Sequence, residues 1–137
     1  MTSILNGQFL RDCAEGLSEN NKGNLDNAKS SWSSKKIPDI DIMDNDKRNG
    51  LILAAMNQHR EVIEFLLENG INISHQDVGG KSALHYAAEQ KNKKMCLFLL
   101  MNKIDHSLQD NEGKLAGQGL DTSDMKIFMD EVLQLLK

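Results

Sequence analysis

Residues 77–109 read DVGGKSALHYAAEQKNKKMCLFLLMNKIDHSLQ, and residues 44–76 before them read DNDKRNGLILAAMNQHREVIEFLLENGINISHQ. Laid over one another, the two stretches agree at eleven of thirty-three positions: Asp44/Asp77, Leu51/Leu84, Ala54/Ala87, Ala55/Ala88, Phe65/Phe98, Leu66/Leu99, Leu67/Leu100, Asn69/Asn102, Ile71/Ile104, Ser74/Ser107 and Gln76/Gln109. Ordinary composition would give about two agreements by chance. Asp110 opens a third block in the same phase, 33 residues after Asp77, before the pattern degenerates. Self-similarity at a fixed period of this length marks an array of one supersecondary unit, because such a unit buries its apolar sides only by stacking on its neighbours.

Within each block the order is a polar turn, a short helix, a tight connection and a second, more apolar helix. The turn Asp77-Val78-Gly79-Gly80-Lys81 carries two glycines, which admit backbone angles that a side chain forbids. Ser82, and Asn49 one period earlier, stand where a helix N-cap belongs. Ala87 and Ala88 let the helix from Ala83 to about Gln90 approach its neighbours closely. Val62, Ile63, Phe65, Leu66 and Leu67 form a wide apolar stripe on the helix from Arg60 to Asn69. Gly70 is a natural left-handed C-cap. Lys103 takes its place in the next block, so there either strain is tolerated or the cap is built differently.

The run D-x-G-G-K-S-A-L-H-Y-A-A, then K-N-K-K-M-C-L-F-L-L, then Ile104-Asp105, resembles an ankyrin repeat. That family's pattern has Asp and Gly in a hairpin, Thr-Pro-Leu-His, a pair of alanines, Gly-His and a helix ending in a leucine pair. The departures are Ser82-Ala83 for Thr-Pro, Asn49-Gly50-Leu51-Ile52 for Thr-Pro-Leu-His, and Lys91-Asn92 for Gly-His. The resemblance implies an all-α fold, a short ankyrin-repeat solenoid of helix-turn-helix units joined by hairpins near 42–48, 75–81 and 108–114, all on one side. A single domain spans 1–137, with an irregular first repeat at 9–43, clear repeats at 44–76 and 77–109, and a degenerate C-terminal capping repeat at 110–137. In the first repeat Phe9 to Ala14 resembles the first helix and Gly23 to Trp32 the second, with about six additional residues, Leu17 to Lys22, between them. The amphipathic run Met125 to Leu136 is expected to close the stack as a terminal helix.

Composition narrows the function classes. The chain has 137 residues, 39% apolar, 26% charged and 4% aromatic, with a net charge of −4, a field that repels a phosphate backbone. By block the charge runs −1 for 1–43, −2 for 44–76, +2 for 77–109 and −3 for 110–137, which leaves no stripe for nucleic acid. No stretch approaches the roughly 18 apolar residues of a membrane span. The start MTSILNGQFLRD lacks both the basic and the apolar region of an export signal. Cys13 and Cys96 match neither a disulfide framework nor a metal spacing. These features lead us to expect a cytoplasmic chain, with the nucleus or delivery into a host cell also open, that is a monomer when alone.

Each chemical motif has a structural reading that outweighs the functional one. Cys96 aligns with Ile63 and Cys13 with an alanine, so both read as small buried hydrophobes. His59, His75 and His106 lack zinc spacing. Gly113-Lys114 lacks the upstream glycine of a phosphate loop, and Gly117-Gln118-Gly119 lacks a third glycine. By resemblance, His85 ties neighbouring repeats through backbone hydrogen bonds. The expectation is therefore a non-enzymatic chain with no cofactor and no metal.

The family resemblance implies a protein-interaction module that meets a protein partner, not nucleic acid or membrane, through its hairpin tips and the exposed face of each first helix. Carried onto this chain, those positions are Asn45, Asp46, Arg48, Met56 and Asn57; then Val78, Gly79, Lys81, Glu89 and Gln90; then Asn111, Glu112 and Lys114. Arg48 and Lys81 share one hairpin position and would present parallel cations to an acidic or carbonyl-rich surface. The competing expectation is a small regulatory or inhibitory subunit that engages an enzyme, or itself, through the helix at 125–136.

Overall fold

The computed structural model describes residues 2–15, 22–34, 39–116 and the single positions 127, 130 and 134. Six helices are defined there: α1 (Thr2–Glu15), α2 (Lys22–Ser33), α3 (Gly50–Met56), α4 (Arg60–Glu68), α5 (Ala83–Glu89) and α6 (Lys93–Met101). They pair as α1 with α2, α3 with α4 and α5 with α6, while α1 packs on α3 and α3 on α5 to join successive pairs. No β-strand occurs among the described residues, only a single antiparallel bridge between Met43 and Asn49. The all-α repeat solenoid implied by the resemblance is what the chain forms.

The local causes repeat with the sequence. Asn49 caps α3, its side-chain oxygen accepting the Ile52 N–H at 2.9 Å. At α5 the Ser82 N–H donates to His85 Nδ1 at 3.1 Å, and the Ser82 hydroxyl lies 3.0 Å from the same nitrogen. An imidazole therefore performs the task usually left to a carboxamide or carboxylate. After α3 the chain reverses through Gln58 at φ 63°, and after α5 through Lys91 at φ 56°. His59 N–H then bonds Ala54 O at 2.8 Å, and Asn92 N–H bonds Ala87 O at 3.0 Å. The two connections are the same turn built from different residues.

The ends of α4 and α6 resolve the question posed by Lys103. Gly70 has φ 85° and Lys103 φ 67°. Ile71 N–H reaches Leu66 O at 3.1 Å and Ile104 N–H reaches Leu99 O at 3.2 Å. The left-handed cap is thus identical in both repeats, and Lys103 adopts it despite its side chain.

The core runs continuously through the stack. Leu51, Ile52, Ile63, Leu66, Leu84, Cys96 and Leu99 are fully buried, as are all four alanines of the paired Ala54-Ala55 and Ala87-Ala88. Short alanine side chains leave α3 and α5 free to approach without an intervening knob. The first pair joins the same core through Phe9, Cys13, Leu25 and Ala28. Trp32 Nε1 donates to Asn69 Oδ1 at 2.8 Å, tying α2 to the end of α4. Residues 127, 130 and 134 are helical and exposed. The insertion from Leu17 to Lys22 lies almost wholly outside the described residues, as do Phe128, Leu135 and most of the run 125–136.

A candidate protein-interaction face

The hairpins are built around one aspartate each. Asp44 Oδ1 accepts the N–H groups of Asp46 and Arg48, both at 2.9 Å. Asp77 Oδ1 accepts those of Gly79 and Lys81 at 2.9 and 3.0 Å, and Asp110 Oδ1 those of Glu112 and Lys114 at 2.9 and 3.0 Å. A short carboxylate satisfies two turn amides at once, which is why this residue type recurs at this place. The fourth residue of each loop is left-handed: Lys47 at φ 60°, Gly80 at 76° and Gly113 at 77°. At Gly80 a Cβ would also stand 2.7 Å from Asn111 Oδ1 and 2.8 Å from Asn111 N, so the next hairpin fits only against a glycine.

Consecutive hairpins are joined edge to edge. Val78 N–H donates to Asp46 O and Asn111 N–H to Gly79 O, both at 2.9 Å. The Asn111 side chain adds a bond to Val78 O at 2.9 Å. His85 Nε2 lies 3.0 Å from Lys114 O; because Nδ1 accepts from Ser82, Nε2 carries the hydrogen and donates across to the third hairpin. The three tips therefore form one row on one side of the stack.

The expected interaction residues divide by what the packing does with them. Asn45, Asp46, Asn57, Val78, Glu89, Asn111, Glu112 and Lys114 are exposed, whereas Arg48, Met56, Gly79, Lys81 and Gln90 are half-buried. Val78 stands out, an apolar side chain 58% exposed at a tip. Met56 is less available than its position suggested, because it packs against the core and the Arg48 guanidinium lies over its sulfur at 4.0 Å. Gln90 is a strut between repeats: its Nε2 donates to the Met56 carbonyl while its buried Oε1 accepts nothing.

The two expected cations do not stand free. Arg48 Nε meets Asp44 Oδ2 at 2.8 Å and Arg48 Nη2 meets Asp46 Oδ2 at 3.4 Å. Partial burial works against the Arg48 charge, but the hydrogen bond and charge of Asp44, with Asp46, outweigh it and raise its pKa. Lys81 Nζ bonds Glu89 Oε1 at 2.7 Å, a contact that also raises the lysine's pKa. Between them sits Tyr86, which the sequence reading passed over. Its hydroxyl donates to Asp77 Oδ2, its ring carries the Lys81 ammonium at 5.4 Å, and burial, followed by that aspartate, pushes its pKa up. The position preceding the alanine pair was the signal that could have marked it.

The remaining reactive groups are structural. Both cysteines are buried; desolvation raises the Cys13 pKa and pushes Cys96 up to about 12, so neither is a thiolate nucleophile at neutral pH. Among the described residues, no group of three or more His, Cys, Asp or Glu could hold a metal. No described helix is long and apolar enough to cross a membrane. A cavity of about 190 Å³ is lined by Gln58, His59, Arg60, Glu61 and Val62.

A family model for ankyrin repeats, in three copies, matches residues 6–110. The chain belongs to the ankyrin-repeat family. The search of curated proteins gave no match. Ankyrin repeats generally mediate protein–protein interaction and are typically non-enzymatic, so a protein is the kind of partner this family membership implies.

Proposed function

We propose that this chain is a non-enzymatic adaptor or scaffold module that binds a protein partner across its hairpin row and the adjoining concave helix face, where α3 itself is buried and the exposed side chains are those of Asn57 just after α3 and Glu89 at the end of α5. The observation that carries the reading is the edge-to-edge bonding of the three hairpins by Val78 to Asp46 and Asn111 to Gly79. It fixes the backbone frame while the tip residues vary from repeat to repeat, Asn45, Val78 and Asn111 at one position and Asp46, Gly79 and Glu112 at the next. A rigid frame that varies only at its tips lowers the ordering cost of docking. The same reading takes the chain as a monomer in the cytoplasm, with residues 110–137 closing the array.

One observation favours the regulatory-subunit alternative: Ile127 in the terminal run is 53% exposed, an apolar residue turned toward solvent. The test is capture of partners by the full chain. Changing Asn45→Ala, Val78→Asp and Glu112→Ala together should abolish capture while leaving the melting temperature nearly unmoved, since exposed tips contribute little to folding. Capture that survives this triple change but is lost on Phe128→Ser, in a chain that still folds, transfers the function to the terminal helix.

A further inference from the structure

Successive hairpins in the row are joined in one direction. Counted from its aspartate, each hairpin donates from its second residue to the carbonyl of the third residue in the hairpin before it: Val78 N–H to Asp46 O and Asn111 N–H to Gly79 O, both at 2.9 Å. Asn111 adds its side-chain amide, which donates to Val78 O at 2.9 Å. Asparagine at this position therefore grips two consecutive peptide carbonyls of the adjoining segment, one with each donor.

Asn45 is the same residue at the same position of the first hairpin. It is exposed, and neither its N–H nor its side-chain amide bonds any described residue. The rest of that hairpin is satisfied: Asp44 Oδ1 accepts the Asp46 and Arg48 N–H groups, and Lys47 N–H closes the turn on Asp44 O at 3.0 Å. Among the described residues no hairpin stands on the Asn45 side, since α1 and α2 pack on α3 and α4 without one. The row thus ends in two donors held in place by a closed turn, and an edge of unpaired backbone groups is a template for a further segment.

The contact made by Asn111 defines what fits that edge. In a strand, successive carbonyls point to opposite sides, whereas the two central residues of a β-turn present theirs to the same side. Val78 and Gly79 are such a pair, in a turn closed by Gly80 N–H on Asp77 O at 2.9 Å. The fourth residue of that turn is constrained as well, because a Cβ on Gly80 would stand 2.7 Å from Asn111 Oδ1 and 2.8 Å from Asn111 N. Where the second residue is Val78 instead, the turn before it carries Lys47 in fourth place.

We infer that the open edge at Asn45 takes an exposed β-turn of a partner protein, with glycine as its fourth residue, whose two central carbonyls accept the Asn45 N–H and side-chain amide. The inference rests on the hairpin row being the docking surface and names how a partner extends it. A further stacked repeat does not fit, because α1 already packs on α3 as α5 does on its other side; a protruding turn needs only the hairpin edge. Met43, two residues before Asn45 and 48% exposed, gives an incoming loop an adaptable apolar neighbour.

The experiment is selection from a library of disulfide-closed peptides with randomised loops, displayed against the full chain, with binding of each selected peptide re-measured on variants. Asn45→Pro removes both donors and no bond of the fold, at the turn position where proline is favoured; Asn45→Val keeps the N–H alone, as Val78 does. The expected result is glycine in the fourth loop position, binding weakened about tenfold to a hundredfold by Asn45→Pro and a few-fold to tenfold by Asn45→Val, and a melting temperature nearly unmoved by either. The Asn45 amide should exchange freely with solvent in the unbound chain and become protected in the complex, as the Asn111 amide is throughout. Protection of Asn45 in the unbound chain would mean that the edge is filled from within and would overturn the inference. Peptides without the glycine, or equally tight after reduction opens the loop, overturn the turn as occupant. Peptides lost on Val78→Asp but indifferent to Asn45→Pro overturn the edge and leave the hairpin row as the docking surface, whereas a selection yielding no peptide sensitive to either change counts against both. The third hairpin, Asp110 to Gly113, also has glycine in fourth place, so self-association abolished by Asn45→Pro would make the occupant a second copy of this chain and overturn the separate partner.

Discussion

Gly70 and Lys103 occupy the same left-handed cap one repeat apart, with matching hydrogen bonds, so each serves as the control for the other. A Cβ built on Gly70 meets nothing within 4 Å; any cost of a side chain there is backbone strain without a clash. That strain is about 1–2 kcal/mol for an L-residue in the left-handed region, against which glycine's greater unfolded-state freedom returns about 0.5–1 kcal/mol. Gly70→Lys should therefore destabilise by about 0.5–1 kcal/mol and Lys103→Gly should stabilise by the same amount. For a chain of this size that is a shift of about 2–5 °C in melting temperature. The double swap should return close to the parent, because the two caps share no side-chain partner. Circular dichroism during urea and thermal unfolding reads all three variants. Lys103→Ala, which removes the charge but keeps the strained angle, should stay within about 0.5 kcal/mol of the parent. A Lys103→Gly variant no more stable than the parent, or a Lys103→Ala variant stabilised equally, would show that the left-handed angle is not where the energy lies.

Three further outcomes are expected. Leu66→Ala and Leu99→Ala, both at fully buried positions, should each cost about 2–5 kcal/mol in chemical denaturation; a change under about half a kcal/mol would mean that the apolar stripe is misplaced. Burial lowers the pKa of His59 from its ordinary 6.5, with a hydrogen bond to the Ala14 carbonyl acting in the opposite sense. The unfolded state therefore takes up the proton first, so stability contributed at this site is complete above that pH, declines as pH falls through it, and levels off below the folded value. His59→Gln should flatten that part of the profile, and an unchanged slope would refute the assignment. Cys13 and Cys96, both buried with raised pKa values, should react with a thiol reagent only as fast as the chain unfolds. A burst of labelling in the native state would place one of them at the surface.

The sequence carried most of the fold because a repeat states its own register. Asp44, Asp77 and Asp110 lie 33 residues apart, and each does the same local work on two turn amides. A signal of that kind needs no tertiary partner to be legible. The same holds for the alanine pairs, whose burial follows from helix spacing, and for Asn49 as a cap. The candidate face was legible in its backbone positions, since tips and first helices can be counted off the period.

What the sequence could not decide was which side chains would engage one another in space. Arg48 and Lys81 look like two free cations in the linear text, and the fold neutralises them, Lys81 through Glu89 eight residues on and Arg48 through Asp44 and Asp46. Gln90 looked like an exposed contact and became a strut to the Met56 carbonyl of the previous repeat. Tyr86 gained its place only once Asp77 and Lys81 closed around it. Lys103 shows the same division at the level of the backbone: the sequence marked a departure from glycine, and the packing of Leu99, Leu100 and Ile104 in the core held the chain in the left-handed angle that a lysine alone would avoid. Period and pattern survive in a string of letters, whereas charge pairing and strain depend on distances that exist only once each repeat has folded.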